Sequence, residues 1–180
     1  MAFAILGDPE ANILANLKPE EFTRVRQHVV DLILATDMSQ HGSLMAKWNG
    51  YVDAGLDVTD DAQLVTMMQI LLKCCDVSNE VRPTEVSDPW VSLLLEEFFA
   101  QSDLEKELGL PFLPFMDRDK VTKSGAQVGF IKFVLIPGFE SLARQFPQLG
   151  KYCERRVPLS PRCSRQLPAM LPARLLFGHV

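Results

Sequence analysis

The chain has 180 residues, of which 47% are hydrophobic and 23% charged, and its formal net charge is −5. This length and composition are typical of one folded domain and exclude a disordered chain or a collagen-like fibre. No run approaches the roughly 18 apolar residues that a membrane span needs, so we expect no transmembrane segment. The negative charge disfavours a nucleic-acid-binding protein, because such proteins need a basic face against the phosphates.

The charge is unevenly distributed along the chain. Residues 1–150 carry 12 basic and 22 acidic side chains, net −10, whereas residues 151–180 carry 6 and 1, net +5. Four prolines fall among the arginines of the basic segment, too often for a helix. We therefore predict a folded region, residues 1–148, and a Pro/Arg-rich tail, residues 149–180, that is disordered. A basic arm for membranes or nucleic acid is the disfavoured alternative.

The cysteines and the amino terminus bear on the compartment. The four cysteines show no Cys-x-x-Cys spacing and no disulfide framework, which favours a reducing environment. The first residues lack the basic region and the long apolar stretch of a secretory signal. We therefore expect a cytoplasmic protein.

Apolar residues spaced three and four apart predict an all-α fold without strands, with helical signals from residue 9 to about 146. A helix that is apolar on nearly all sides, as the third predicted one is, is expected to be central. Pro137 is expected to kink the last helix. The predicted helices are 19–36, 39–52, 59–75, 87–109, which Ser87 caps and Pro89 opens, and 125–146, after a loop at 110–124.

One candidate site residue is acidic and ends the most apolar predicted helix. Asp76 follows Cys74 and Cys75 there. The helix dipole and burial both oppose a carboxylate at this place, so it needs a cation, such as a metal ion, or strong hydrogen-bond donors. The alternative, which spacing alone favours, is that Asp76, Ser78 and Asn79 form an Asx-type turn that closes the helix.

A second candidate pairs Asp37 with His41, which are four residues apart. They would share a helix face if the preceding helix continued through them. Two groups do not make a metal site, because a catalytic zinc needs about three protein ligands. A solvated or capping histidine is therefore the favoured interpretation of His41.

A third candidate lies in the last predicted helix, where Gln127 and Phe130 are one turn apart. The glutamine amide can read the hydrogen-bonding edge of a flat ring while the phenyl ring stacks on its face. An ordinary core helix with one polar residue is the alternative. Nucleophile motifs of the Gly-x-Ser-x-Gly type, phosphate-binding loops and dinucleotide fingerprints are absent from the sequence.

These candidates belong to longer segments that, in their order along the chain, resemble the second half of the catalytic domain of class I 3′,5′-cyclic nucleotide phosphodiesterases. The similarity is strongest to the high-affinity cGMP-specific type nine and covers about residues 2–148. The segments that carry it are Ile33–Met38 with His41, Cys74–Pro83, Asp88–Val91 with Leu94–Phe98, Pro114–Lys123 and Gln127–Pro137.

The resemblance implies an all-helical domain that holds Zn²⁺ and Mg²⁺ or Mn²⁺ and hydrolyses a cyclic phosphate. It makes Asp76 a metal ligand and Gln127 the residue that hydrogen-bonds the purine. Thr36 and Asp37 resemble groups that orient the metal-bound water. The other residues implied in the pocket are Phe130 and Leu94, which clamp the ring, and Glu80, Met38 and Phe98, which line the site.

The resemblance also implies that the chain is incomplete as an enzyme. In the family, three further metal ligands and a general-acid histidine precede the segment similar to Met1–Leu6, and this chain does not contain them. We therefore expect a phosphodiesterase of cGMP that is inactive alone; a flipped glutamine amide would pair with cAMP instead. The alternative is a non-catalytic regulatory or binding module that associates with full-length phosphodiesterase.

Overall fold

A computed structural model describes residues 1–150. This part of the chain is all helical, as the sequence predicts, and no strand occurs within it. The predicted tail, apart from its first two residues, lies outside the described residues. The helices are α1 (Ala2–Ile5), α2 (Pro19–Leu34), α3 (His41–Ala54), α4 (Asp61–Asp76), α5 (Thr84–Glu107), α6 (Lys123–Phe130) and α7 (Ile136–Gln145). Short 3₁₀ helices lie at Met38–Gln40, Ser78–Val81, Pro114–Met116 and Pro147–Leu149.

Local side-chain chemistry explains where the first helices begin. Pro19 is the first residue of α2, where its missing N–H costs nothing. The Asp60 carboxylate caps α4 by accepting a hydrogen bond from the Gln63 N–H at 2.9 Å. The helical signal that starts at residue 9 is wrong, because Asp8 and Asn12 instead accept hydrogen bonds from N–H groups two residues ahead and form turns.

The predicted start of the fourth long helix is also wrong. α5 begins at Thr84, because the Pro83 carbonyl accepts hydrogen bonds from the N–H groups of Val86 and Ser87 at 2.9 and 3.0 Å. Ser87 is therefore a buried helical residue and not a cap. Pro89 lies inside the helix near its start, where its missing N–H removes one main-chain hydrogen bond.

The last predicted helix is continuous, and its middle is irregular. A five-residue π-helical stretch, Ile131–Leu135, joins α6 to α7 and lies before Pro137. A widened turn before a proline accommodates its inability to donate to the preceding turn. The irregular stretch ends two residues before Pro137, and the kink predicted at that proline stays a prediction. Against the expectation from sequence, Lys123–Gln145 has the length and apolar composition of a membrane span, yet Ile131 and Leu142 pack in the core.

The core lies where α3, α4 and α7 meet. Trp48 of α3, Ile70 of α4 and Leu142 of α7 are each almost completely buried there. α4 packs on α2, α3 and α7, which agrees with its predicted central position. One side of α4 is nevertheless uncovered, since Leu72 is 37% exposed and Asp76 is exposed on the same side, one turn later.

Candidate functional site

Asp76 is the last residue of α4, and its carboxylate is exposed. Within residues 1–150, Asp76 is therefore not buried, and burial does not require a cation or hydrogen-bond donors beside it. The turn that follows is not the predicted Asx-type turn: it is closed by main-chain hydrogen bonds, from the Val77 N–H to the Lys73 carbonyl and from the Glu80 N–H to the Val77 carbonyl. Asp76 is thus presented at the edge of the described structure, with Lys73 as the neighbouring cation.

Thr36, Asp37 and Met38 form the turn that follows α2. The Asp37 carboxylate accepts a hydrogen bond from the Ser39 N–H at 2.8 Å, and this bond holds the pKa of Asp37 below its ordinary value. Because α2 ends at Leu34, Asp37 and the next helix are separated by a 3₁₀ turn. Asp37 and His41 therefore do not share one continuous helix face.

A buried lysine connects this turn to α4. Lys73 is only 4% exposed, and its ammonium donates hydrogen bonds to the carbonyls of Ala35, Thr36 and Asp37 at 3.2, 3.3 and 3.2 Å. Its Nζ atom also lies 3.6 Å from the Met38 sulfur. Burial lowers the pKa of Lys73, and the charges of Asp76 and Asp37 partly oppose that shift. One side chain therefore ties together the two segments that carry the predicted metal-proximal residues.

His41 lines a small apolar pocket next to that turn. The pocket is bounded by Met38, Lys73, Leu135 and Phe139, and the Nδ1 atom of His41 is buried without a hydrogen-bond partner inside the described residues. Burial lowers the pKa of His41, and the Lys73 charge lowers it further. His41 is therefore partly buried, which disagrees with the solvated histidine favoured from the sequence.

Gln127 and Phe130 lie one turn apart on α6, and both are half-buried. The Gln127 amide makes no hydrogen bond within residues 1–150, so its donor and acceptor are available to a ligand. The start of α6 is fixed to α5 by Lys123, whose Nζ atom lies 2.7 Å from the Asp88 carboxylate and 2.8 Å from the Ser92 hydroxyl. α5 is the helix that carries the predicted opposite wall.

Leu94 and Phe98 occupy one face of α5, four residues apart. Leu94 is 43% exposed and Phe98 is half-buried, so this face contains a wall of apolar side chains open to a ligand. Glu80 is buried in the 3₁₀ helix that connects α4 to α5. The predicted pocket residues thus come from four separate segments, which are the 3₁₀ helices at Met38–Gln40 and Ser78–Val81 and the helices α5 and α6.

The loop before α6 supports the predicted pocket in a way that the sequence patterns did not indicate. Phe115 packs edge to face on Phe98, with ring centroids 6.2 Å apart. The loop is held by Asp117, whose carboxylate is 3% exposed and lies 2.6 Å from Lys106 Nζ and 3.4 Å from Lys120 Nζ. The hydrogen bond from Lys106 lowers the pKa of Asp117 and raises that of Lys106. The alternating acidic and basic residues at 117–120 are the sequence feature from which these ion pairs could have been predicted.

The described residues do not by themselves fit a metal ion. Residues 1–150 contain no group of three or more His, Cys, Asp or Glu side chains that could hold one. Asp76 offers one exposed carboxylate, and a two-metal hydrolytic site needs several protein ligands. A metal ion at Asp76 would therefore need ligands from outside residues 1–150.

Comparison with known proteins identifies the family. Residues 1–155 match the 3′5′-cyclic nucleotide phosphodiesterase family. The human high affinity cGMP-specific 3′,5′-cyclic phosphodiesterase 9A is 52% identical over 149 residues, which is 83% of this chain and 25% of that protein. The mouse protein of the same name is 54% identical over 147 residues, 82% of this chain and 27% of its own length. The chain thus spans about a quarter of these relatives.

Solved structures agree with this assignment. The phosphodiesterase domain of the RhoPDE fusion protein from the choanoflagellate Salpingoeca rosetta superposes with a TM-score of 0.82 at 30% identity, over 91% of this chain and 53% of that one. LmjPDEB1, solved in complex with IBMX, superposes with a TM-score of 0.77 at 32% identity, over 84% of this chain and 46% of that one. In sequence and in fold, the chain belongs to the 3′,5′-cyclic nucleotide phosphodiesterase family.

Proposed function

We propose that this chain is the nucleotide-recognising half of a cGMP phosphodiesterase. The observation that carries the proposal is the identity of more than half of the aligned residues with mammalian proteins named as high affinity cGMP-specific phosphodiesterases. The fold supports it, because the chain corresponds to about half of the solved phosphodiesterase chains it superposes on. The cyclic nucleotide is the substrate class that the family name itself indicates.

In this proposal Gln127 forms hydrogen bonds with the purine edge, and Phe130 with Leu94 holds the ring between them. The half-buried position and unused amide of Gln127 support the first role. Phe98 lines the site with Met38 and Glu80, and the ring of Phe115 keeps Phe98 in place. One orientation of the Gln127 amide pairs with the guanine edge, and the opposite orientation pairs with adenine.

We further propose that Asp76 is a ligand for Zn²⁺ or for Mg²⁺ or Mn²⁺ in the complete enzyme, with Thr36 and Asp37 orienting groups around it. Such ions activate water for attack on a phosphate ester. The exposed position of the Asp76 carboxylate supports the role, since ligands from elsewhere can reach it. Because residues 1–150 offer no complete ligand set, we propose that the chain alone is inactive.

Hydrolysis of cGMP by the purified 180-residue chain tests the inactivity directly. The assay contains added zinc and magnesium, and the matched control is the Asp76→Ala variant. We expect no hydrolysis above that control. Activity that disappears in Asp76→Ala would show that other ligands complete the site and that the proposal of an inactive half is wrong.

Binding of cGMP by isothermal titration tests the recognition role independently of hydrolysis. We expect Gln127→Ala to weaken binding about tenfold, because the purine groups that bind the amide lose their hydrogen-bond partners. Gln145→Ala is the control, since Gln145 is exposed at the far end of α7. Unchanged binding in Gln127→Ala would contradict the purine assignment, and tighter binding of cAMP than of cGMP would contradict the substrate.

A second candidate function is association with full-length phosphodiesterase as a regulatory module. The observation that favours it is the uncovered apolar surface at the end of α2 and on α4, where Ile33, Leu34 and Leu72 are 56%, 65% and 37% exposed. Exposed apolar surface of this kind marks interaction sites. The remaining half of the solved domains would supply the helices that cover it.

Co-purification with tagged full-length phosphodiesterase tests this association. The double variant Leu34→Lys with Leu72→Lys should abolish capture, because it places two charges in the apolar surface. Leu108→Lys is the control, since Leu108 is 62% exposed beyond the end of α5. Capture that survives the double variant, or is equally lost with Leu108→Lys, would contradict this surface as the site of association.

A further inference from the structure

The ammonium group of Lys73 on α4 makes its hydrogen bonds outside its own helix. It donates to three consecutive carbonyls, those of residues 35, 36 and 37, at 3.2 to 3.3 Å. An ammonium has three donor hydrogens, which these three carbonyls can accept, and the Met38 sulfur lies 3.6 Å from the same Nζ atom. A buried cation is tolerated only when it is fully hydrogen-bonded in this way.

The carbonyls that Lys73 binds lie beyond the last residue of α2. Helix ends leave their final carbonyls without intrahelical partners, and these groups carry the negative end of the helix dipole. Of the three, the Asp37 carbonyl also accepts the Gln40 N–H at 3.2 Å. Only the Ala35 carbonyl, at the C-cap, belongs to the end of α2, whereas those of Thr36 and Asp37 belong to the turn that follows. The ammonium therefore satisfies the C-cap carbonyl of a helix whose last turn contains no basic residue, and it binds two carbonyls of the following turn.

The position of Lys73 relates this cap to the candidate site. Lys73 lies one turn before Asp76 on α4, and the carbonyls it binds belong to the turn of Thr36, Asp37 and Met38. We propose that Lys73 is a positioning residue, which fixes the turn at residues 35–38 at a set distance from Asp76 and so aligns the two segments of the candidate site. The role of this alignment in nucleotide binding rests on the proposed function. That Lys73 fixes the turn does not depend on the proposed function.

The molecule contains a matched control for this role. Gln69 lies one turn earlier on α4, and its Nε2 atom donates to the Asp31 carbonyl of α2 at 3.2 Å. This bond joins the same two helices but does not touch the turn at residues 35–38. A merely structural α2–α4 contact should behave alike at Gln69 and Lys73, whereas a positioning role is specific to Lys73.

The variants Lys73→Met and Gln69→Met each keep an unbranched apolar stem and remove the donors. Amide hydrogen exchange of the 180-residue chain is the first readout, at residues 37, 39 and 40, whose N–H groups are hydrogen-bonded within the turn. We expect Lys73→Met to speed exchange there about tenfold or more, relative to the change that Gln69→Met causes, because three bonds to a charged donor are lost. Equal effects of the two variants on these amides would overturn the proposal.

If Lys73→Met does not fold, a measurement on the unaltered chain tests the proposal instead. In a ¹⁵N-detected spectrum at neutral pH, the ammonium protons of a buried and fully bonded lysine exchange slowly and give a signal, whereas those of exposed lysines exchange too fast. We expect one such protected ammonium, correlated with residues 35–37. A folded chain without a protected ammonium at Lys73 would overturn the proposal.

Titration with cGMP separates this inference from the proposed function. If the unaltered chain binds cGMP, Lys73→Met should weaken binding about tenfold while Gln69→Met changes it less than twofold. Equal affinities in Lys73→Met and the unaltered chain would overturn the alignment role. If the unaltered chain does not bind cGMP, the proposed recognition function fails, and the exchange data alone still support or overturn the fixing of the turn.

Discussion

The rings of Phe98 and Phe115 meet edge to face, with centroids 6.2 Å apart and planes inclined at 75°. This edge-to-face geometry is one of the two that aromatic pairs favour. It joins α5, which carries one predicted wall of the nucleotide pocket, to the 3₁₀ helix of the loop before α6. Phe115 of the loop thus contributes to the pocket by supporting the ring of Phe98.

Replacing Phe115 by Ala should weaken cGMP binding about fivefold, since the aromatic pair that orients Phe98 is lost. Isothermal titration measures the affinity. Phe99→Ala is the matched control, because Phe99 is the next residue on α5 and its ring lies instead against the Arg118 guanidinium, 5.3 Å away. The same loss of affinity in both variants would mean that Phe115 acts only through general stability.

Two glycines of α3 should respond to alanine with opposite signs. Gly55 ends the helix with a φ of +88°, a conformation that costs an alanine about 1 kcal/mol or more. Gly50 lies inside the helix, where an added methyl group meets no heavy atom within 4 Å and alanine is favoured by about 0.5–1 kcal/mol. Urea denaturation of Gly55→Ala and Gly50→Ala measures both, and destabilisation by Gly50→Ala would contradict this account.

Much of the helical framework could be predicted from the sequence because its determinants are local. The apolar periodicity and the Asp60 cap place α4 within two residues of its predicted start. The start of α5 could not be predicted in this way, because Ser87 followed by Pro89 resembles a cap with a first-turn proline. The competing hydrogen bonds to the Pro83 carbonyl start the helix earlier.

The interactions that shape the candidate site depend on residues far apart in the sequence. Lys73 binds carbonyls 36 to 38 positions away, and no local pattern distinguishes it from a solvated lysine at a helix end. The contact of Phe115 with Phe98 likewise depends on how the loop folds back on α5. The roles of Asp76, Gln127 and Phe130 were predicted by resemblance to a family, and the structure alone does not assign them.

Truncation of a core side chain should be far more costly than truncation of an exposed one of the same type. Leu142 of α7 is 2% exposed, so Leu142→Ala should lower the free energy of unfolding by about 2–5 kcal/mol. Leu104 of α5 is 55% exposed, and Leu104→Ala should change it by about 0.5 kcal/mol or less. Chemical denaturation compares the two. Similar costs would contradict the placement of the core between α3, α4 and α7.

The loop that carries Phe115 should lose its anchor in acid. The pKa of Asp117 is lowered in the folded state, chiefly by the hydrogen bond from Lys106, so its ionised form stabilises the fold. That contribution is fully present above the unfolded pKa of about 4 and is lost as the pH falls through the lower folded pKa. Asp117→Asn should therefore be less stable than the unaltered chain at pH 7, with a difference that shrinks below about pH 4.

Thermal unfolding at pH 7, 5, 4 and 3 measures this pH dependence. Asp119→Asn is the matched control, since Asp119 is 81% exposed and lies 3.5 Å from the same Lys106 ammonium. An exposed ion pair contributes little, so this variant should track the unaltered chain at every pH. A stability difference for Asp117→Asn that persists unchanged at pH 3 would show that the carboxylate charge is not what holds the loop, and would leave its shape and packing as the anchor of Phe115.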